Sequence, residues 1–196
     1  MRRTGIFLLA ITSFLSGCAT GYSLVTTGSV AVQTLTVNAG SGWNKAPTMH
    51  TPSARKGTQT WTKDGMLLDR LVIVPGVPDG EAILVTRNQS AALPVFRADM
   101  LPNEIEELVE SSMVKLFGEG QSVVSTENLR PHRYGQHAGI LFDLSATVTD
   151  SPKYRGTVGA FVAEDRLYLI YFLAALPYYY DKHRAAAEAI IQSASL

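Results

Sequence analysis

The sequence predicts an α+β fold, a twisted antiparallel sheet with amphipathic helices packed on it. Three observations predict it. A single strong helical pattern over Pro102 to Phe117 lies between two stretches of strand-like, period-two patterning. The strand patterns after that helix follow one another through short turns, which suits an antiparallel meander. A second apolar helical stripe closes the chain after Pro177. The 196 residues are 46% apolar and 17% charged. That composition excludes a disordered tail or a collagen-like rod. The formal charge is zero, so no basic footprint for nucleic acid is present.

The elements follow in order. Arg2 and Arg3 precede ten mostly apolar residues, Ile6 to Leu15. Ten helical residues span about 15 Å, half of a hydrocarbon core of about 30 Å. The pattern is therefore that of a secretory signal rather than a membrane span. It ends in Leu15, Ser16, Gly17 and Cys18, and Cys18 is the one cysteine of the chain. A single cysteine excludes an internal disulfide framework and a multi-cysteine zinc site. These four residues resemble the bacterial lipobox. That resemblance implies signal-peptide cleavage before Cys18 and lipidation of its thiol and new N-terminus, with diacylglyceryl and fatty acyl (palmitate-type) chains. Removing 17 residues from 196 leaves 179. Loss of Arg2 and Arg3 leaves 15 basic against 17 acidic groups, a net charge of −2. The lipid is then the anchor, since two chains hold a protein stably where one does not. Ala19, rather than Asp, follows Cys18, which by resemblance to the enteric sorting rule favours the outer membrane, facing the periplasm.

The expected organisation is a signal peptide over 1–17, a lipidated cysteine and tether over 18–29, and one α+β domain with one core over 30–196. Val30 to Val37 alternates as a strand. Asn38 to Lys56, rich in Gly, Ser, Pro and Thr, reads as a long loop holding Trp43. Thr58 to Lys63 and Met66 to Val74 flank Asp64-Gly65, a tight-turn signal. Pro75-Gly76 and Pro78-Asp79-Gly80 then break the chain. The helix at Pro102 to Phe117 presents Ile105, Leu108, Val109, Ser112, Met113, Leu116 and Phe117 on one face. Pro102 suits its first turn, glutamates suit its positive end, and Gly118 stops it. Strands are expected over Ser122 to Leu129, Ala138 to Val148, Tyr154 to Ala163 and Arg166 to Ala175. The last is apolar enough for burial on both faces. Pro177 opens the final helix, whose stripe is His183, Ala186, Ala187, Ile190, Ile191 and Ala194.

The second half resembles the PsbP-like superfamily, which includes the extrinsic subunit of plant photosystem II and a Ran-binding nuclear import factor. The matching features are the helix at Pro102 to Phe117, then Gly139-Ile140-Leu141-Phe142-Asp143, Tyr154-Arg155-Gly156, Leu167-Tyr168-Leu169-Ile170 and Ile190-Ile191-Gln192-Ser193. The resemblance covers about residues 100 to 196. It implies a central antiparallel sheet between helical layers and a non-catalytic adaptor role, and it carries no catalytic residue over.

A search for chemistry finds no compact catalytic motif and no cofactor motif. No serine sits in a Gly-x-Ser-x-Gly elbow. His132, His137 and Asp143 are too widely spaced along extended chain to share a metal unless a strand bends. His132 reads as a loop histidine, and His183 as a hydrogen-bonded structural one. Gly156 to Gly159 lies inside a strand, which points to close packing rather than a phosphate cradle. Glu104, Glu106, Glu107 and Glu110 read as a solvated helix face. Aromatic residues with arginine mark binding surfaces, so Tyr178, Tyr179, Tyr180 and Arg184 are candidate partner contacts. Trp43 and Trp61, in or beside the long loop, are candidates too. The leading expectation is a membrane-anchored, non-enzymatic binding or adaptor module for an envelope protein or component. A small-ligand carrier would need an apolar pocket between sheet and helices. A structural envelope protein remains open, as does a metal-dependent hydrolase if His132, His137 and Asp143 converge.

Overall fold

Arg166–Ala175 (β10) is an almost unbroken apolar run, and every residue after Arg166 in it is buried. A strand this apolar needs cover on both faces. In the computed structural model of the chain, which describes residues 21–48, 51, 53–85 and 92–196, β10 lies near the middle of an eight-stranded sheet. The other strands of that sheet are β1 (Ser23–Leu24), β4 (Asn44–Lys45), β5 (Gln59–Thr62), β6 (Asp69–Pro78), β7 (Ser122–Tyr134), β8 (His137–Val148) and β9 (Lys153–Ala163). Their order is β1-β4-β5-β6-β10-β9-β8-β7, and each neighbouring pair is antiparallel. The expected meander is β7 to β10. Its β9–β10 turn is Glu164-Asp165, with both residues at positive φ (50° and 54°), as a two-residue hairpin turn requires.

Side-chain alternation splits the core in two. Tyr168, Ile170, Phe172 and Ala174 of β10 face the closing helix α2 (Tyr179–Gln192), with Trp43, Trp61, Leu71 and Ile73. Leu167, Leu169, Tyr171 and Leu173 face the opposite way, toward α1 (Pro102–Phe117). The single core expected from the sequence is thus two cores separated by the sheet. Helix α1 begins at Pro102, and the Glu104 carboxylate accepts the Leu101 N–H at 2.7 Å. It buries Ile105, Leu108, Val109, Ser112 and Met113 and stops at Gly118, whose φ is 102°. Helix α2 buries Tyr180, His183, Ala187, Ile190 and Ile191, while Ala186 is exposed.

Several expectations are corrected. The strand expected over Val30 to Val37 is a hairpin, β2 (Gly28–Val32) and β3 (Leu35–Ala39), turning at Gln33 with φ 56°. Val32 pairs with Leu35 and both are fully buried; alternation alone cannot tell a folded-back strand from a straight one. Strands β5 and β6 form the expected hairpin, but the turn runs over residues 63–68 rather than the two residues Asp64-Gly65. Pro75-Gly76 does not end a strand. Strand β6 passes through it by a bulge, where Gly76 has φ 99° and the register to β10 shifts; a bulge relieves proline of its ladder hydrogen bond. Strand β7 continues past Leu129 to Tyr134, so His132 is on a strand and not in a loop. Pro131 is tolerated there because β7 is an edge. The tether expected over 18–29 already contains β1, and the loop over 38–56 contains β4, which pairs with β5. The lipobox residues Leu15, Ser16, Gly17 and Cys18 lie outside the described residues. No helix among the described residues is long and apolar enough to cross a membrane.

Candidate functional site

The turn after β5 and the start of α2 meet through charge. Asp69, 1% exposed, opens β6 and ties the turn together. Its carboxylate accepts Thr62 Oγ1 at 3.1 Å, the Asp64 N–H at 2.7 Å and the Lys63 N–H at 2.8 Å. This fixes the Asp64 side chain against α2. Asp64 Oδ2 accepts Lys182 Nζ at 2.7 Å and meets His183 Nε2 at 2.6 Å. The hydrogen bonds from Lys182, then His183, hold the Asp64 carboxyl below its usual range, and the carboxylate in turn raises Lys182. Lys182 also lies over the Tyr178 and Tyr179 rings, at 5.4 and 5.9 Å from their centroids.

Asp64, Asp69 and His183 form the one group among the described residues spaced to share a cation, with ligand atoms within 4.8 Å. Their donor set does not fit a metal. Both Asp69 oxygens are committed to the turn, and the Lys182 ammonium already occupies Asp64. A histidine–carboxylate pair also serves as a base when a nucleophile touches it. Here His183 contacts no hydroxyl or thiol among the described residues, and the pair acts as a clasp between a hairpin and a helix.

The residues expected to bind are dispersed. Trp43 and Trp61 are fully buried on the α2 face, and Tyr180 is 4% exposed, so these three belong to the core rather than to a partner surface. Trp43 folds back edge-on to Phe172 at 6.3 Å, and Trp61 donates to Gln59 Oε1 at 3.0 Å. Tyr178, 60% exposed, and Arg184 stay at the surface, while Tyr179 is half-buried against the α2-side core. Arg184 pairs with Glu188 at 2.9 Å. His132, His137 and Asp143 do not converge. His132 meets the Gln192 carbonyl, His137 stacks on Phe161 at 5.8 Å, and Asp143 accepts from Asn128 and Arg130. Gly156 and Gly159 do serve close packing. A Cβ on Gly156 would strike the Phe172 carbonyl, and one on Gly159 the Tyr134 hydroxyl and Ile191.

Sequence reasoning missed a cleft on the α1 face. Helix α1 packs over β7 and β8. The β5–β6 side of that face is closed by two irregular segments around Ser53 to Thr58 and Ile83 to Leu84. They are joined by the Ala54–Leu84 bridge and by Arg55, which donates to the Ala82 carbonyl at 2.8 Å and pairs with Glu81. Between them lies a cavity of about 190 Å³, lined by Met66, Val72, Val74, Ile83, Leu84 and Leu116, with Arg70, Tyr171, Thr58 and Thr60 among its polar groups. Each lining residue is ordinary in sequence; only the fold brings them together.

This architecture is shared with a solved structure. The chain superposes on the solution structure of cyanobacterial PsbP (CyanoP) from Synechocystis sp. PCC 6803 with a TM-score of 0.55. The match covers 92% of this chain and 97% of that one, at 9% identity. The fold is PsbP-like. The PsbP-like architecture therefore extends well beyond the residues after 100 where the sequence resembles that superfamily. It takes in β1 to β6, which no motif matched. At 9% identity the PsbP likeness concerns the fold alone. No protein-family model matches the chain, and no curated protein sequence matches it significantly.

Proposed function

We propose that the chain is a lipid-anchored envelope protein whose PsbP-like domain is a non-catalytic binding module. The observation that carries the binding reading is the surface at the start of α2. There Tyr178, Tyr179 and Lys182 stand together, held by the Asp64 clasp. Aromatic and cationic groups fixed in place lose little conformational freedom on binding, which favours a protein contact there. The lipobox supports attachment through Cys18, at the outer membrane and facing the periplasm. Four residues lie between Cys18 and Ser23, where β1 begins, so the two are five residue steps apart. Fully extended, five steps reach about 17 Å, so the anchored domain would stay close to the leaflet and to partners there.

The test is in-cell crosslinking of the tagged protein, purification from the envelope and mass spectrometry. A recurrent, near-stoichiometric protein partner is expected, and Tyr178→Ala should reduce its yield several-fold. Recovery of the same partner by Tyr178→Ala at wild-type yield would remove this surface from the proposal. A second reading, a small-ligand carrier, is favoured by the cleft beside β6.

A further inference from the structure

The cleft on the α1 face has a chemical polarity that points to one ligand class. Its walls are aliphatic. Its volume, about 190 Å³, is below the roughly 300–1,000 Å³ of sites for drug-sized ligands. That volume admits a small ligand such as a short aliphatic chain.

Two polar groups of the lining lack an internal partner. Arg70 lines the cleft and forms no ion pair among the described residues. Its guanidinium stacks instead near the rings of Phe117 and Tyr154, at 5.3 and 5.9 Å. Those rings orient the guanidinium but supply no anion. Thr58, another lining residue, has a buried Oγ1 with no hydrogen-bond partner among the described residues. Tyr171, buried beside Arg70, keeps its phenol protonated because burial raises its pKa. One fixed cation beside neutral hydroxyls matches a monoanion. A phosphate dianion would call for more positive charge than the cleft holds.

We infer that this cleft binds a single-chain aliphatic carboxylate, with the chain along Met66, Val74, Ile83 and Leu116 and the carboxylate on Arg70. A planar guanidinium suits a carboxylate because it can donate two parallel hydrogen bonds. The inference deepens the carrier reading and stands apart from docking at Tyr178.

The experiment uses the full lipidated chain in phosphatidylcholine nanodiscs, photolabelled with octanoate carrying an aliphatic diazirine. Octanol with the same diazirine is the comparison. Saturable octanoate labelling on peptides containing Met66, Leu84 or Leu116 is expected, competed by octanoate. Arg70→Gln should reduce that labelling at least about tenfold, as loss of a charge-assisted contact predicts, while leaving octanol labelling unchanged. Arg70→Lys should retain part of it. Leu84→Trp, which fills the cleft and keeps the charge, should abolish both labels. Circular dichroism checks that the variants are folded. Equal octanoate labelling of wild type and Arg70→Gln would overturn the recognition of the carboxylate but leave the carrier reading. No saturable labelling by either probe would overturn both.

Discussion

Asp69 shows how much a single buried carboxylate can organise. It is nearly inaccessible, yet it has no cationic partner among the described residues; its oxygens accept two backbone N–H groups and one hydroxyl. Removing the acceptor orphans all three donors at once. Asp69→Ala should therefore destabilise the domain by about 2–4 kcal/mol, read as a lowered urea midpoint. Asp69→Asn, which keeps one acceptor oxygen, should cost less. Equal stability of Asp69→Ala and wild type would mean the turn is held by other contacts. None of this was legible in sequence, where Asp64-Gly65 drew attention as the turn and Asp69 stood as one more polar residue. The tryptophans mislead in the opposite direction. Trp43 lies in a stretch rich in glycine and proline, but a large apolar ring gains most by folding onto the sheet. It does so at the cost of an unpartnered indole N–H.

At the scale of elements, the Asp64 clasp joins the β5–β6 hairpin to α2, more than a hundred residues away in the chain. The Asp64 pKa is lowered in the folded state. A depressed carboxylate stabilises the fold above its unfolded pKa, and that contribution is lost as pH falls through the folded value. Asp64→Asn should thus lower Tm at pH 7, and the gap to wild type should close as the pH falls below the ordinary carboxylate range. A gap that persists unchanged at pH 2 would show that packing rather than charge carries the effect. Helix α1 and the strands β8 to β10 were readable from periodicity and turn residues to within a residue or so. The β5–β6 hairpin was readable apart from the far end of β6, but strands β1 to β4 were not, because short strands and a hairpin with buried Val32 and Leu35 leave weak or ambiguous patterns, and the bulge at Pro75-Gly76 hides the continuation of β6.

For the whole molecule, the decisive question is where the folded domain is held. Cys18 precedes β1, so on the proposed anchoring Cys18→Ala should leave the fold intact and release the protein from firm membrane attachment. The measurement is fractionation of cell envelopes with a salt wash. Cys18→Ala protein that remains with membranes as the wild type does would show that something other than lipid holds it. The two faces of the sheet also divide the proposed roles. The α2 side carries the aromatic and cationic surface, and the α1 side carries the aliphatic cleft.

The sequence by itself determined the α+β class, the long helix and the closing meander, and it carries the lipobox-like pattern Leu15 to Cys18 on which the proposed anchor rests. Each of these is local: a motif, a 3.6-residue period, a two-residue alternation or a turn pair can be read within one window of the chain. Only the tertiary structure decided that Trp43 and Trp61 are core, that Asp64 clasps Lys182 and His183, and that Arg70 shares a cleft with Thr58 and Leu116. Those outcomes depend on contacts between residues far apart in the chain, whose partners are chosen by the order in which strands lie side by side. A side chain's exposure follows from what the sheet places over it, and no single window of sequence contains that information.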